Sequence, residues 1–312
     1  MSRLIHSGQV IVDLVMSLDT LPATGGDVLA NSASFEAGGG FNVMAAARRN
    51  GLPVVYLGRH GKGRFGDLAR AAMLAEGIEI ALAASDNKDT GLCVSLTEAT
   101  TERTFISHIG AEGELSAEDL ASAVPHPDDY VYVSGYSLLL EGKSQVLLDW
   151  LLALPRAITV VFDPGPLVKA PDSALMVALL PRIDIWTSNG PEALAFTGAR
   201  DLAGALLKLN DHLPAADTLL VVRDGPNGCW VSRNGQAQHV PGFKVQAVDS
   251  NGAGDAHAGV FITGLANGLA PDVAARRANA AAALAVTRWG PATSPGTAEV
   301  DALLAHRPES AE

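Results

Sequence analysis

Residues 248–265 read V-D-S-N-G-A-G-D-A-H-A-G-V-F-I-T-G-L: two carboxylates, Asp249 and Asp255, bracket a run of small residues, and an Ala/Gly/Val-rich apolar segment follows. Gly252, Ala253 and Gly254 leave backbone N–H groups open, because no bulky side chain screens them from a ligand. A helix beginning at about Ala253–Asp255 has first-turn N–H groups without intrahelical partners. Together with the positive end of the helix dipole these make an anion site. Asp255, in that first turn, would stand beside the anion in position to take a proton, which suggests phosphoryl transfer to a hydroxyl. The same residues also fit a Gly-rich loop with Asp residues capping a helix, and local physics leaves both readings open.

Downstream, Val273–Val286 is a long Ala-rich helix suited to close packing on the helix that starts near Gly254. A Gly/Pro loop, R-W-G-P-A-T-S-P-G, then leads to a last short helix at Thr297–Leu304. Upstream, β-rich runs at Tyr130–Ser134, Ile158–Phe162, Ile183–Trp186 and Leu219–Arg223 each follow a helical or mixed stretch. That alternation predicts a parallel sheet with helices on both faces, and ligands in such sheets bind beyond the carboxyl ends of the strands. Those ends read Ser134-Gly135, Asp163-Pro164-Gly165, Ser188-Asn189-Gly190 and Arg223-Asp224-Gly225. Ordinary βα turns use the same residues, so composition there does not separate a ligand rim from plain turns. A hairpin, Cys229–Val231 with Gln238–Val240, precedes the opening stretch.

In the first third, Leu4–Val15 reads as one strand broken by Gly8, with Asp13 in an apolar setting where a lone carboxylate is costly. Asp13 is therefore either paired or turned to a polar ligand. Val28–Phe35 alternates as a strand outside the main sheet, and A-G-G-G-F-N (37–42) feeds an Ala-rich helix over Asn42–Arg49. Val54–Gly58 is a short buried strand and Gly66–Glu76 a helix. Gly91–Thr97 and Arg103–Ile109 form a hairpin around Glu98–Glu102, and with Val28–Phe35 a small sheet of their own, a candidate lid. Gly61-Lys62 lacks the spacing and the Ser/Thr of a P-loop.

The chain has 312 residues, 48% of them hydrophobic, which is enough for a large core and excludes general disorder. Its formal charge of −12 argues against nucleic acid or an anionic membrane as partner, whereas Mg²⁺ and backbone dipoles can still seat a nucleotide locally. Cys93 and Cys229 read as buried small hydrophobes in a reducing compartment. With neither a membrane-length apolar run nor a signal-peptide pattern, the expectation is a cytoplasmic protein.

Taken together, the chain resembles the ribokinase-like (PfkB) carbohydrate kinases over nearly its whole length. D-S-N-G-A-G-D (249–255) is similar to that family's D-T-x-G-A-G-D, and A-G-G-G-F-N (37–42) to its G-G-x-G-x-N. N-G-P-E (189–192) is similar to N-x-x-E, and D-G-P-N-G (224–228) to a G-x-x-G turn near the nucleotide, all in the family's order. The resemblance implies a three-layer α/β/α sandwich with a mostly parallel central sheet and a small β-sheet lid. The lid would comprise about 14–36 and 91–109 within a single kinase domain, 1–312.

It also implies transfer of the γ-phosphate of ATP to a sugar hydroxyl, with Asp255 as general base and the amides of Gly252, Ala253 and Gly254 as anion hole. Asp13, Gly39, Gly40 and Asn42 would hold the acceptor, and Arg103 either reaches the site from the lid or faces solvent. Asn189 and Glu192 would position Mg²⁺, through water in the case of Glu192, while Arg223, Gly225, Gly228 and Asn279 would line the nucleotide. A K⁺ site would draw on Asp249, Asn251, Val286, Gly290 and Ser294, although Asp249 could equally only brace its loop. Gly39 and D-P-G-P-L (163–167) depart from common sugar-kinase patterns, so the acceptor's identity stays open. A nucleoside kinase of the same fold and a catalytically silent nucleotide-binding protein remain alternatives. A homodimer through the edge of the lid sheet is a further expectation.

Overall fold

A computed structural model describes residues 2–306 apart from 101, 141, 169–170 and 214–216. In chain order the elements of the first half are β1 (Leu4–His6), β2 (Val10–Leu18), β3 (Ser32–Gly39), α1 (Gly40–Arg49), β4 (Val54–Tyr56), α2 (Arg64–Ala75), β5 (Glu79–Ile80), β6 (Leu92–Glu98), β7 (Arg103–His108) and α3 (Ala117–Ser122). They continue with β8 (Tyr130–Ser134), α4 (Ser144–Ala153), β9 (Thr159–Asp163), α5 (Ala174–Leu179), β10 (Ile185–Asn189), α6 (Gly190–Thr197), α7 (Leu202–His212) and β11 (Leu219–Arg223). The last are β12 (Gly228–Arg233), β13 (Gln236–Pro241), α8 (Ala253–Ala266), α9 (Pro271–Ala285) and α10 (Thr297–His306).

Nine strands form the central sheet in the order β13-β12-β11-β10-β9-β8-β1-β4-β5. It is parallel from β11 to β5 and ends in the antiparallel hairpin β12–β13. Its central strands are near-continuous runs of Val, Leu and Ile because both faces are covered. On one face α1, α2, α8, α9 and α10 pack around Met44, Met73, Phe261 and Val300. On the other, α3 to α7 pack around Leu120, Leu151, Met176, Trp186, Phe196 and Leu209. The three-layer α/β/α arrangement is therefore as expected.

A second sheet of four strands, β3-β2-β6-β7, stands apart from the first. Leu4–Val15 is not one strand: β1 lies in the central sheet and β2 in the small one, with the break at residues 7–9. Gly8 sits at the crossing, its N–H bonded to His6 Nδ1 at 3.0 Å, and a Cβ there would lie 2.3 Å from the His6 ring. The small sheet thus begins at Val10, and the strand placed at Val28–Phe35 is found at Ser32–Gly39. Helix and hairpin bounds elsewhere shift by only a few residues, except that α1 starts at Gly40, inside the glycine run. Cys93 and Cys229 are buried free thiols, as expected.

Small residues set the spacing beneath the site. A Cβ on Gly259 of α8 would lie 2.5 Å from the Val43 carbonyl oxygen and 2.7 Å from Ala46 Cβ, both on α1. Ala or Gly on each facing surface lets α1, α8 and α9 approach closely enough to bring two helix N-termini to one place. Gly259→Ala is expected to lower stability by about 1–3 kcal/mol through this overpacking, read as a lower denaturant midpoint at unchanged m-value.

Candidate active site

Two glycine turns deliver two helices to the same cavity. Gly252 precedes α8 at φ 71°, and a Cβ there would lie 1.7 Å from the Pro291 carbonyl oxygen, so only glycine is tolerated. Gly39 precedes α1 at φ 61°, with the Gln9 carbonyl oxygen 2.9 Å from its would-be Cβ. The amides of Ala253 and Gly254 open α8 in its first turn, and Asp255 follows them. Asn42, on the first turn of α1, donates from Nδ2 to Asp255 Oδ2 at 3.2 Å, while its own Oδ1 is buried and accepts no hydrogen bond.

The cavity on the α1 side measures about 630 Å³ and is lined by Asp13, Gly39, Gly40, Asn42, Asp163 and Asp255 among others. A second, of about 510 Å³, is lined by Gly225, Gly228, Phe243, Ala253, His257 and Asn279 among others. Asn189, Arg223 and Gly254 line both. The two cavities therefore meet at the N-terminus of α8, with Asp255 on the first cavity's side of the junction.

Electrostatics mark the same place. Burial pushes the Asp255 carboxyl up to about 7; repulsion from Asp163 and Glu192 adds to this, and the Asn42 hydrogen bond and Arg223 oppose it. Asp13 also rises to about 7, first through burial, then through Glu36 and Asp255. It belongs to β2, in register with Glu36 on β3 and Cys93 on β6. A Cβ at Gly38 would lie 2.0 Å from Asp13 Oδ2, so that glycine makes room for the carboxylate.

Arg223 ends β11. Its Nη1 donates to Thr187 Oγ1 at 2.6 Å, and its Nη2 lies 3.3 Å from Asp163 Oδ2 and 3.7 Å from Glu192 Oε2. Burial disfavours its charge, but Asp163 and Glu192 more than offset this and hold it protonated. Asn189 and Glu192 form a reciprocal cap on α6: each backbone N–H donates to the other's side chain at 2.8 Å. Burial, then Asp163, raises the Glu192 carboxyl.

Several of the residues singled out from the sequence are held by other parts of the protein. Asn279 lines the second cavity, but its Nδ2 is bonded to the Val240 and Pro241 carbonyls at 2.9 and 3.2 Å, and its Oδ1 lies 3.2 Å from His257 Nε2. It braces the wall there. Arg103 does not line the first cavity; it reaches Ser250 and Asp249. The oxygens named for K⁺ are largely engaged already. Asp249 Oδ1 accepts from Asn251 N at 2.9 Å and Oδ2 from Gly290 N at 3.0 Å, and Val286 O accepts from both Val248 N and Asp249 N. Ser294 is buried, and its backbone oxygen accepts from Arg49. A cation here would share oxygens that already accept hydrogen bonds, and at Asp249 it would meet the Arg103 guanidinium.

Asp163 also lines the first cavity, a residue that the sequence motifs do not single out. Its position at the carboxyl end of a buried parallel strand was the available signal, masked because D-P-G also reads as a turn. Among the described residues no three His, Cys, Asp or Glu side chains cluster to hold a metal ion, and no helix is long and apolar enough to cross a membrane.

A three-layer α/β/α body, a separate four-stranded sheet and an acid beside a glycine-fed helix N-terminus define the class: a ribokinase-like kinase. The family sequence model for pfkB family carbohydrate kinases matches residues 1–298, and the chain belongs to that family. It is 30% identical over 302 residues to an uncharacterized sugar kinase, YegV, of Escherichia coli K12, covering 96% of this chain and 92% of that protein. In fold it is similar to adenosine kinase from Sinorhizobium meliloti (21% identity, TM-score 0.82, covering 98% and 99% of the two chains). It is equally similar to fructokinase from Vibrio cholerae O395, solved with fructose, ADP and calcium ion (22% identity, TM-score 0.82, covering 97% and 99%). The protein is thus an ATP-dependent carbohydrate kinase, a class that uses ATP with a divalent metal.

With its carboxyl raised from 3.8 to about 7, Asp255 lowers stability progressively as pH rises between those values, and the cost is complete above about pH 7. Asp255→Asn should therefore raise Tm at pH 8 and raise it less at pH 5, where the native carboxyl is already neutral. Calorimetry at the two pH values checks the sign.

Proposed function

We propose that this kinase phosphorylates a hydroxyl of a small uncharged sugar, with Asp255 as general base. The observation that carries the reading is the junction of the two cavities at Gly254, with Asp255 alongside and Asn42 holding its carboxylate. The acceptor sits against Asp13, Gly39, Gly40 and Asn42, and the nucleotide against Arg223, Gly225, Gly228 and the wall that Asn279 braces. As the hydroxyl attacks, Asp255 takes its proton. The amides of Gly252, Ala253 and Gly254 stabilise the charge on the transferring phosphoryl group, and nothing need reorganise at that moment because the helix already fixes them.

Mg²⁺ fits as part of the nucleotide's own complex. The acids beside the junction, Asp163 and Glu192, are already shared with Arg223 and suit contact through the ion's water shell rather than direct ligation. When bound, the ion neutralises phosphate charge. The small sheet serves as a lid within a single kinase domain, 1–312, and excludes water that would otherwise hydrolyse ATP. Its outer strands β3 and β7 are exposed edges that suit pairing with a second copy.

Charge supports the acceptor class. Among the described residues lining the acceptor cavity, Arg223 is the sole Lys or Arg, and it is committed to Thr187, Asp163 and Glu192. A phosphate or carboxylate on the acceptor would face Asp13, Asp163 and Asp255 without a free cation. A second reading, a nucleoside acceptor, draws on the cavity's rim. Phe105 and Ile109 on one side and Tyr136, Leu139 and Leu167 on the other line it and are exposed, an apolar mouth suited to a planar base.

Asp255→Asn is expected to leave acceptor binding within a few-fold and to cut kcat by about 10³-fold or more. In the parent enzyme, kcat/KM should fall with pH below about 7, tenfold per unit, as the base becomes protonated. Parent-like turnover in the variant would sink the mechanism. ATP consumption measured over neutral sugars, nucleosides, sugar acids and sugar phosphates tests the acceptor. Activity confined to neutral sugars supports the first reading and activity confined to nucleosides the second, while a preference for acidic acceptors refutes both.

A further inference from the structure

Arg103 opens β7, and its side chain leaves the small sheet for the loop that starts α8. Its Nη2 donates to Ser250 Oγ at 2.7 Å and lies 3.1 Å from Asp249 Oδ1, with only 16% and 12% of the Arg103 and Asp249 side chains exposed. Asp249 in turn accepts from Asn251 N and Gly290 N, so one carboxylate joins the small sheet, the D-S-N-G turn and the loop after α9. The small sheet meets that last loop a second time: a Cβ on Gly290 would lie 3.0 Å from Glu36 Oε2 on β3. The guanidinium already holds the positive charge beside Asp249 Oδ1, and a dissolved cation at that oxygen would have to approach against it.

We propose that Arg103 is a positioning residue that supplies the positive charge at Asp249, so that order in the Gly252–Gly254 turn depends on the small sheet being seated and not on a dissolved monovalent cation. This rests on the reading of that turn as the phosphate-binding element. Seating the sheet brings a permanent charge to the base of the turn. Withdrawing it leaves Asp249 with backbone donors alone. Arginine suits the task because a single terminal nitrogen, Nη2, carries two N–H donors and meets the hydroxyl and the carboxylate at once, on a group that stays protonated at any working pH. The resulting coupling ties completion of the anion hole to enclosure of the acceptor, which is how a kinase limits transfer to water.

The test compares the parent, Arg103→Ala and Arg103→Lys in potassium, sodium and choline chloride at one ionic strength. Hydrogen exchange of the 251–254 amides is followed beside turnover. For the parent, both readouts should be the same in all three salts, within about twofold. Arg103→Ala should exchange those amides faster in choline and regain protection in potassium. Its kcat should fall about tenfold or more, with acceptor KM changed far less, and potassium should restore part of it. Arg103→Lys should lie between the two. A parent activated about tenfold by potassium overturns the proposal, as does an alanine variant with parent-like exchange and kcat in choline. Loss of activity with exchange unchanged also counts against it. Because amide exchange needs no acceptor, failure here is separable from failure of the proposed kinase site.

Discussion

Arg223 is the charge on which the reaction centre depends. Asp163, Glu192 and Asp255 converge at the carboxyl ends of β9 and β10 and the start of α8, where water is scarce and their mutual repulsion would be costly. One guanidinium, anchored on Thr187 and shared by Asp163 and Glu192, makes the cluster tolerable. It offsets the repulsion without cancelling it, and Asp255 keeps a raised carboxyl uncommitted to a salt bridge. The geometry of the strands serves this balance: parallel β9, β10 and β11 set Asp163, Asn189 and Arg223 at neighbouring ends of one sheet.

The rest of the architecture positions the glycine-fed helices against that cluster. The α8 start is fixed by the collision that any Cβ at Gly252 would make with Pro291, and the α1 start by Gly39 and Gly40 passing over Gln9 and His6. Both turns are steric necessities of close backbone approach. Asn42 and Asp255 then meet across the seam, a contact between residues far apart in the chain that exists only because α1 and α8 pack through small residues.

Much of this was legible in the sequence. Alternation of buried strands with helices identified the layered sheet, and the G-A-G-D run located the helix start, because both signals are local. What failed was non-local. Leu4–Val15 is apolar on both sides of Gly8, so nothing in its pattern reveals that the chain changes sheets there. The destination of Arg103 could not be read from T-E-R-T-F-I, because its partners lie in the loop before α8. Asp163 was hidden by turn chemistry that reads the same with or without a ligand. Asn279 lines the second cavity, but its hydrogen bonds to the β13 carbonyls depend on a packing no periodicity encodes.

The break at Gly8 has a mechanical side. Asp13 rides on β2, in the small sheet, whereas Asp255 stands on the main body, and Asp255 adds to the burial and the Glu36 repulsion that raise the Asp13 carboxyl. Two like charges mounted on separate bodies form an electrostatic spring across the joint between them. Ionising both pushes the sheets apart, and protonating one, or bridging them with a hydroxylated molecule, relaxes the push. Both carboxylates line the one cavity, so whatever fills it stands between a group carried by the small sheet and a group carried by the main body.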